Sequence, residues 1–230
     1  MSRPHRHIQA VVFDLDDTLF REGDYVRSGL AAVDRRLGGN GKYAGWMWRR
    51  FLAGRRGDMF DALGRRYRLG LSAAGIAELV EVYRRHAPAI RPCRGVVELL
   101  RALRRRGIRS AVLSDGFLPA QQLKLDALHL AELFDEVLFT ESIGRQAWKP
   151  SPIGFEKLRR RMGAPHERCA YVADNPAKDF VAPNALGWLT IQWRRGGQVH
   201  ADNPAPPGGR PRRIVRSGPE LLRVVDKWGN

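Results

Sequence analysis

The chain has 230 residues, of which 43% are hydrophobic, so it can bury a sizeable core as one domain with an insertion or as two small lobes. Its 40 Lys and Arg against 24 Asp and Glu give a net charge of +16, which would suit a nucleic-acid partner. However, the basic residues are mostly scattered Arg, a bias that genome composition also produces. We therefore expect an anionic substrate and do not favour nucleic acid.

Neither the cysteines nor the hydrophobic runs indicate a secreted or membrane protein. Cys93 and Cys169 lie far apart without metal-type spacing, as expected of buried thiols in a reducing compartment. No long apolar stretch follows the basic residues 1–7, and no run approaches the length of a membrane span. We expect a soluble cytoplasmic protein, whose oligomeric state the sequence does not indicate.

The first predicted strand, residues 8–13, runs directly into Asp14, Asp16, Asp17 and Thr18. Burying acids is costly unless a cation or hydrogen-bond donors compensate them. Three Asp within four residues therefore suggest a site for a hard cation such as Mg²⁺, with one carboxylate free to react. The alternative is an acidic turn that caps a helix.

Residues 21–90 carry only helical patterns. Leu30, Val33 and Leu37 share helical spacing before a glycine-rich break at 38–41. Further apolar stretches of helical type are predicted at 46–52, 59–67 and 76–83. We expect an all-helical domain at 21–91, inserted into a core formed by 1–20 and 92–230.

After Pro92, helices alternate with short apolar strands. Strands are predicted at 110–113, 136–139, 170–173, 188–192 and 213–215, with helices at 96–103, 119–128 and 219–225. Asn175 and Pro176 have the residue types that begin a helix, and the segment 196–211, rich in Gly and Pro, is predicted to be a mobile surface loop. The alternation predicts a Rossmann-like α/β fold, a mostly parallel sheet with helices on both faces.

Three predicted strands end in a polar residue: Asp14, Ser114 and Asp174. Ligands of open α/β sheets bind at the carboxyl ends of the strands. We therefore expect these side chains to meet at one edge of the sheet, which an isolated acidic turn would not predict.

Four short motifs follow one another along the chain. They are Asp14-Leu15-Asp16-Asp17-Thr18, then Leu113-Ser114-Asp115-Gly116, then Trp148-Lys149-Pro150, and finally Asp174 to Asp179. With these motifs in this order, the chain resembles the haloacid dehalogenase superfamily, in the phosphatase-type branch with a helical cap inserted after the first motif. The resemblance covers residues 11–192, and the four motifs together are far more specific than any one alone.

The resemblance implies a role for each acid. Asp14 would attack phosphorus to form an aspartyl-phosphate, and Asp16 would act as general acid and then as general base. Mg²⁺ would be held by the side chains of Asp14 and Asp174 and by the backbone carbonyl of Asp16. Dehalogenase-type members lack an acid at the position of Asp16, so its presence favours phosphoester hydrolysis.

The same resemblance implies a phosphate-binding set. Lys149 would supply positive charge, while Ser114 and the backbone amides near Asp115 and Gly116 would supply hydrogen-bond donors. Asp179 would position Lys149 or hold a metal-bound water. The alternatives are a solvated loop lysine and a simple cap at Ser114.

Supporting and specificity residues are less clearly indicated. Thr18 would help to set the first loop, and Arg21 and Tyr25 lie near the expected mouth of the site. An aromatic and basic cluster in the cap, which includes Trp46 and Arg49, could stack a base or sugar and clamp a second phosphate. We favour the alternative, in which the Trp pack the small core of the cap and the Arg are solvated.

The sequence thus predicts a Mg²⁺-dependent phosphatase for a small phosphometabolite, such as a sugar phosphate or a nucleoside monophosphate. Alternatives are a phosphatase for nucleic-acid ends or phosphoproteins, a phosphometabolite-binding protein without catalysis, and a phosphoryl-transferring mutase. The sequence does not name the substrate.

Overall fold

The computed structural model describes residues 7–228, and its centre is a six-stranded parallel sheet with the strand order β3-β2-β1-β4-β5-β6. The strands are β1 (Ala10–Phe13), β2 (Arg109–Ser114), β3 (Glu136–Phe139), β4 (Cys169–Ala173), β5 (Leu189–Trp193) and β6 (Arg213–Val215). All five neighbouring pairs are parallel. The predicted α/β fold is confirmed, and each predicted strand is present with its ends shifted by at most two residues.

Helices of the core cover both faces of this sheet. They are α5 (Val96–Arg105), α6 (Leu118–Leu128), α7 (Ile153–Arg161), α8 (Val181–Ala185) and α9 (Gly218–Asp226). Along β1, Val11 and Phe13 belong to one hydrophobic cluster, whereas Ala10 and Val12 belong to the other. Because every residue of β1 is buried, the strand appears in the sequence as a continuous apolar run.

Four helices lie between β1 and α5, and we call them the cap. They are α1 (Glu22–Arg36), α2 (Lys42–Leu52), α3 (Met59–Tyr67) and α4 (Ala73–Arg85). The cap has its own hydrophobic cluster, centred on side chains such as Val33, Met47 and Leu63. The inserted helical cap is therefore confirmed as part of the fold, while the limits 21–91, 1–20 and 92–230 stay predictions, and residues 1–6 and 229–230 lie outside the described part.

The chain leaves the core for the cap and returns to it at one place. Phe20 and Pro92 form an isolated antiparallel bridge, and the amide of Cys93 donates a hydrogen bond to the carbonyl of Leu19 at 2.8 Å. The two connections between core and cap therefore lie side by side, a few residues after the first motif.

Two local predictions were wrong. Asn175 does not begin a helix: its side-chain oxygen accepts a hydrogen bond from the amide of Ala177 at 3.1 Å in a turn, and α8 begins only at Val181. In the segment 196–211, Ala201 is buried, and its carbonyl accepts a hydrogen bond from the amide group of Gln192 at 2.8 Å. Part of this segment therefore packs into the core. Within residues 7–228, every helix is too short or too polar to cross a membrane.

Candidate active site

The first, second and fourth motifs meet because β1 lies between β2 and β4. Phe13 of β1 pairs with Val112 of β2 and Val172 of β4, so the carboxyl ends of the three strands are level. Asp14 follows β1, Ser114 ends β2 and Asp174 follows β4, and all three residues are buried. The shared edge brings together side chains that lie a hundred residues apart in the sequence.

Lys149, from the third motif, lies between two carboxylates. Its ammonium group forms ion pairs with Asp14 and with Asp179, the latter at 2.8 Å, and donates a hydrogen bond to the hydroxyl of Tyr171 at 2.9 Å. Burial opposes the charge of Lys149, but the two carboxylates outweigh it and hold the pKa of the ammonium well above its ordinary value. Lys149 is therefore a fixed, buried cation and not a solvated loop lysine.

Three acids form a set that fits a divalent cation. Oxygens of Asp14, Asp174 and Asp179 lie within 4.8 Å of one another, and Oδ2 of Asp174 is buried without a hydrogen-bond partner among residues 7–228. Burial, followed by the charges of Asp179 and Asp14, raises the pKa of Asp174 to about 9. Carboxylate oxygens are the preferred ligands of Mg²⁺, and a bound cation would offset the cost of burying them.

The carboxylate of Asp16 is not part of that set and has its own partners. Oδ1 of Asp16 accepts a hydrogen bond from Nζ of Lys124 at 2.6 Å, and Oδ2 accepts one from Nε2 of Gln121 at 3.0 Å. Burial favours the neutral acid, but Lys124 and Gln121 outweigh it and lower the pKa of Asp16. Sequence analysis missed both partners, and their only signal was three-residue spacing on the helix that follows the second motif.

The second motif forms a tight loop against the third. The carboxylate of Asp115 accepts hydrogen bonds from the hydroxyl of Thr140 at 2.7 Å and from the amide of Lys149 at 3.2 Å, so it ties the end of β2 to the segment that carries the lysine. Gly116 has a φ of 121°, and a Cβ there would lie 2.7 Å from Nε2 of Gln121. Residues other than glycine rarely adopt this φ, so a substitution at Gly116 would be strained and would also displace the side chain of Gln121.

The first motif is also tied to distant segments. Asp17 has a φ of 54°, and its carboxylate accepts hydrogen bonds from the amides of Glu22 at 2.9 Å and Val199 at 2.5 Å. The carbonyl of Thr18 accepts a hydrogen bond from Nη1 of Arg195 at 2.6 Å, while its buried hydroxyl has no partner among residues 7–228. The loop after β5 therefore holds the first motif in place, a contact that sequence analysis missed.

A cavity of about 300 Å³ opens over the acids of the first and fourth motifs. It is lined by Asp14, Asp16, Glu22, Tyr25, Tyr83, Lys124, Asp174, Asn175, Lys178 and His200. Among the four specificity candidates, Tyr25 lines this cavity, whereas Arg21, Trp46 and Arg49 do not. The ring of Trp46 packs 6.0 Å from that of Tyr67 within the cap, and Arg49 is exposed.

Comparison with known proteins agrees with the fold and with the family that the sequence resembles. The model of a family described as haloacid dehalogenase-like hydrolase matches residues 8–187. Among curated proteins, glyceraldehyde 3-phosphate phosphatase of Methanocaldococcus jannaschii is 26% identical over 201 residues, which span 82% of this chain and 86% of that protein. Haloacetate dehalogenase H-2 of a Moraxella species is 27% identical over 211 residues, spanning 84% of this chain and 88% of the other.

A solved structure extends the likeness to nearly the whole chain. The HAD-hydrolase YfnB of Bacillus subtilis, in a crystal form bound to magnesium, superimposes with a TM-score of 0.72. The match covers 96% of this chain and 99% of YfnB at 20% sequence identity. At that identity the likeness concerns the fold.

Proposed function

The chain belongs to the haloacid dehalogenase-like hydrolases, and from that premise we propose that it is a Mg²⁺-dependent phosphatase acting on a small phosphomonoester through an aspartyl-phosphate. One observation carries the proposal: Asp14 and Asp16, two residues apart, both line the same cavity, yet their side chains have different partners. Two carboxylates with separate environments can take separate roles in one reaction.

In the first step, Asp14 attacks phosphorus, and the bond between phosphorus and the ester oxygen breaks. Asp16, in its protonated form, gives its proton to the departing alkoxide. In the second step, Asp16 takes a proton from a water molecule, which attacks the aspartyl-phosphate and releases inorganic phosphate. One carboxylate thus serves as nucleophile and its neighbour as the proton carrier.

The remaining residues would hold the phosphoryl group and offset its charge. Lys149 is already fixed beside Asp14, and Asp115, between Ser114 and Gly116, accepts a hydrogen bond from the amide of Lys149 at 3.2 Å. Asp14 and Asp174 would bind Mg²⁺, which when bound supplies positive charge for the phosphoryl oxygens. The buried, unpartnered Oδ2 of Asp174 supports this part of the proposal.

A dehalogenase is the principal alternative, because two relatives are named as dehalogenases. A halide leaves as a stable anion and needs no proton donor, whereas an alkoxide does. The acid at Asp16 therefore supports a phosphatase, and the glyceraldehyde 3-phosphate phosphatase relative supports a small phosphorylated substrate. The cavity of about 300 Å³ also suits a small ester better than the end of a nucleic acid.

Asp14→Asn tests the proposal directly. We expect phosphate release from p-nitrophenyl phosphate with Mg²⁺ to fall by about 10³-fold or more, because the amide cannot form the acyl-phosphate. Asp61→Asn, at an exposed position on α3, makes the same chemical change away from the cavity and should leave the rate unchanged. Undiminished turnover by Asp14→Asn would rule out the covalent mechanism.

A further inference from the structure

Lys124 reaches the cavity from α6 and is held there by aromatic side chains. The residue is 7% exposed, and its Nζ lies 4.1 Å from the ring centroid of Tyr25 and 5.9 Å from that of Phe20. Its four-carbon stem is therefore packed, and the ammonium group is directed to one place in the cavity wall. A lysine fixed in this way differs from the exposed cations that cover most of the surface.

The hydrogen-bonding capacity of this ammonium is mostly unused. A lysine carries three N–H donors, yet Oδ1 of Asp16 is the only acceptor that bonds Nζ of Lys124 among residues 7–228. The face of Tyr25 attracts the charge but accepts no conventional hydrogen bond. A lysine ammonium with donors left over, held at the wall of a cavity, can bind an anionic group that enters the cavity.

The position of Lys124 defines which part of a substrate it would meet. In the proposed reaction, the ester oxygen must come within hydrogen-bond distance, about 3 Å, of Asp16. Nζ of Lys124 is bound to that same carboxylate at 2.6 Å. A group two or three bonds beyond the ester oxygen, on the leaving alcohol, would therefore lie beside Lys124.

We propose that Lys124 determines specificity by binding a carboxylate on the leaving alcohol, so that the preferred substrates are small phosphomonoesters of hydroxy acids. This inference rests on the proposed phosphatase function and names its substrate class. The cavity of about 300 Å³ leaves room beyond the phosphoryl group for only a short carbon chain.

The other charged groups that face the cavity are compatible with an anionic leaving group. Lys178 lines it with a half-exposed side chain and adds positive charge. Glu22 opposes an anion, but burial, followed by the charges of Asp16 and Asp17, raises the pKa of Glu22 to about 7. His200, whose Nε2 lies 3.4 Å from Glu22, can share a proton with it.

The test compares two esters of nearly equal size, 2-phosphoglycolate and 2-hydroxyethyl phosphate, with p-nitrophenyl phosphate as a general phosphatase substrate. For the wild-type protein with Mg²⁺, kcat/KM should be about tenfold or more higher for the carboxylate ester. Lys124→Gln should remove that preference. Both esters lose the ion pair that holds Asp16, but only the carboxylate ester also loses a binding partner, so its kcat/KM should fall about tenfold more than that of the neutral ester. Lys124→Arg should restore part of the preference because it restores the charge.

Lys157 is exposed on α7, and Lys157→Gln makes the same change in net charge. This control should leave kcat/KM unchanged for both esters. Equal losses on both esters in Lys124→Gln would overturn the proposal, because they would mean that the lysine acts only by holding Asp16. A wild-type protein that hydrolyses p-nitrophenyl phosphate but does not discriminate between the esters would overturn the inference alone. Failure to hydrolyse any of the three would overturn the phosphatase proposal as well. Unfolding by urea, measured on each variant, separates loss of binding from loss of fold.

Discussion

The charged side chains of the candidate active site and the cations of the cap have opposite surroundings. In the core, Asp14, Lys149 and Asp179 are buried and paired with one another. In the cap, cations lie at the surface and stack on aromatic rings, as Arg56 does over Phe51 at 4.5 Å. A buried charge is stable only with its partners in place, whereas an exposed stack contributes about 0.5–1 kcal/mol and tolerates change.

This difference explains why the sequence indicates the chemistry of the core but does not indicate a ligand of the cap. The buried core charges must converge on a ligand or on each other, so their residue types reveal chemistry. The exposed cap cations have water as a partner, and the net charge of +16 is therefore poor evidence for a specific ligand. Three further experiments test this difference between the core and the cap.

The largest effect is expected at the centre of the core. Lys149→Gln leaves the carboxylates of Asp14 and Asp179 without their buried cation. We expect the free energy of unfolding in metal-free buffer to fall by about 3–5 kcal/mol, and phosphate release with Mg²⁺ to fall by about 10²-fold or more. Urea titration and a phosphate assay measure the two effects.

The control for this variant is again Lys157→Gln, which removes an exposed lysine and should change the unfolding free energy by less than about 0.5 kcal/mol. If Lys149→Gln were no more destabilising than this control, the buried charge network would not hold the site together, and the contrast with the cap would fail.

A smaller effect is expected on how the free energy of unfolding depends on pH and on Mg²⁺. Burial is the main cause that raises the pKa of Asp14 from 3.8 to about 7 and that of Asp174 to about 9. The folded protein therefore keeps protons that the unfolded chain releases. The stability from these groups is complete below pH 3.8 and is lost as the pH rises through about 7 and 9.

Mg²⁺ should reverse this loss, because it replaces the protons on the same carboxylates. At a concentration 100 times its Kd, it should raise the unfolding free energy by about 2.7 kcal/mol. Urea titrations at pH 5, 7 and 9, with Mg²⁺ or with a chelator, measure both trends. In Asp174→Asn the Mg²⁺ effect should largely disappear, and an undiminished effect there would place the cation elsewhere.

The smallest effect is expected in the cap. Trp46 packs against Tyr67 and does not line the cavity. Trp46→Ala should therefore lower the unfolding free energy by about 1–2 kcal/mol and change kcat/KM by less than about twofold. Arg49→Ala, at an exposed position, should change neither quantity measurably. A large loss in kcat/KM for either variant would show that the cap cluster contacts the substrate after all.

Much of the fold was predictable from local patterns. The strands are buried on both faces, so each appears as a short apolar run, and alternation with helices predicts a parallel sheet. Where a local pattern failed, a tertiary contact was responsible. Asn175 has the residue type of a helix cap, but its backbone N–H donates a hydrogen bond to the carboxylate of Asp179. Its side-chain oxygen accepts a hydrogen bond from the amide of Ala177 in a turn, so no helix begins there.

The fold class and the acids at the ends of the strands could be predicted from the sequence, because apolar runs and motifs are contiguous along the chain. The surroundings of those acids depend instead on tertiary packing. Lys124 lies 108 residues from Asp16, and Val199 lies 182 residues from Asp17. Val199 has no periodic or compositional signal, and Lys124 has only its three-residue spacing from Gln121. Their positions follow from the packing of α6 and of the loop after β5 against one edge of the sheet.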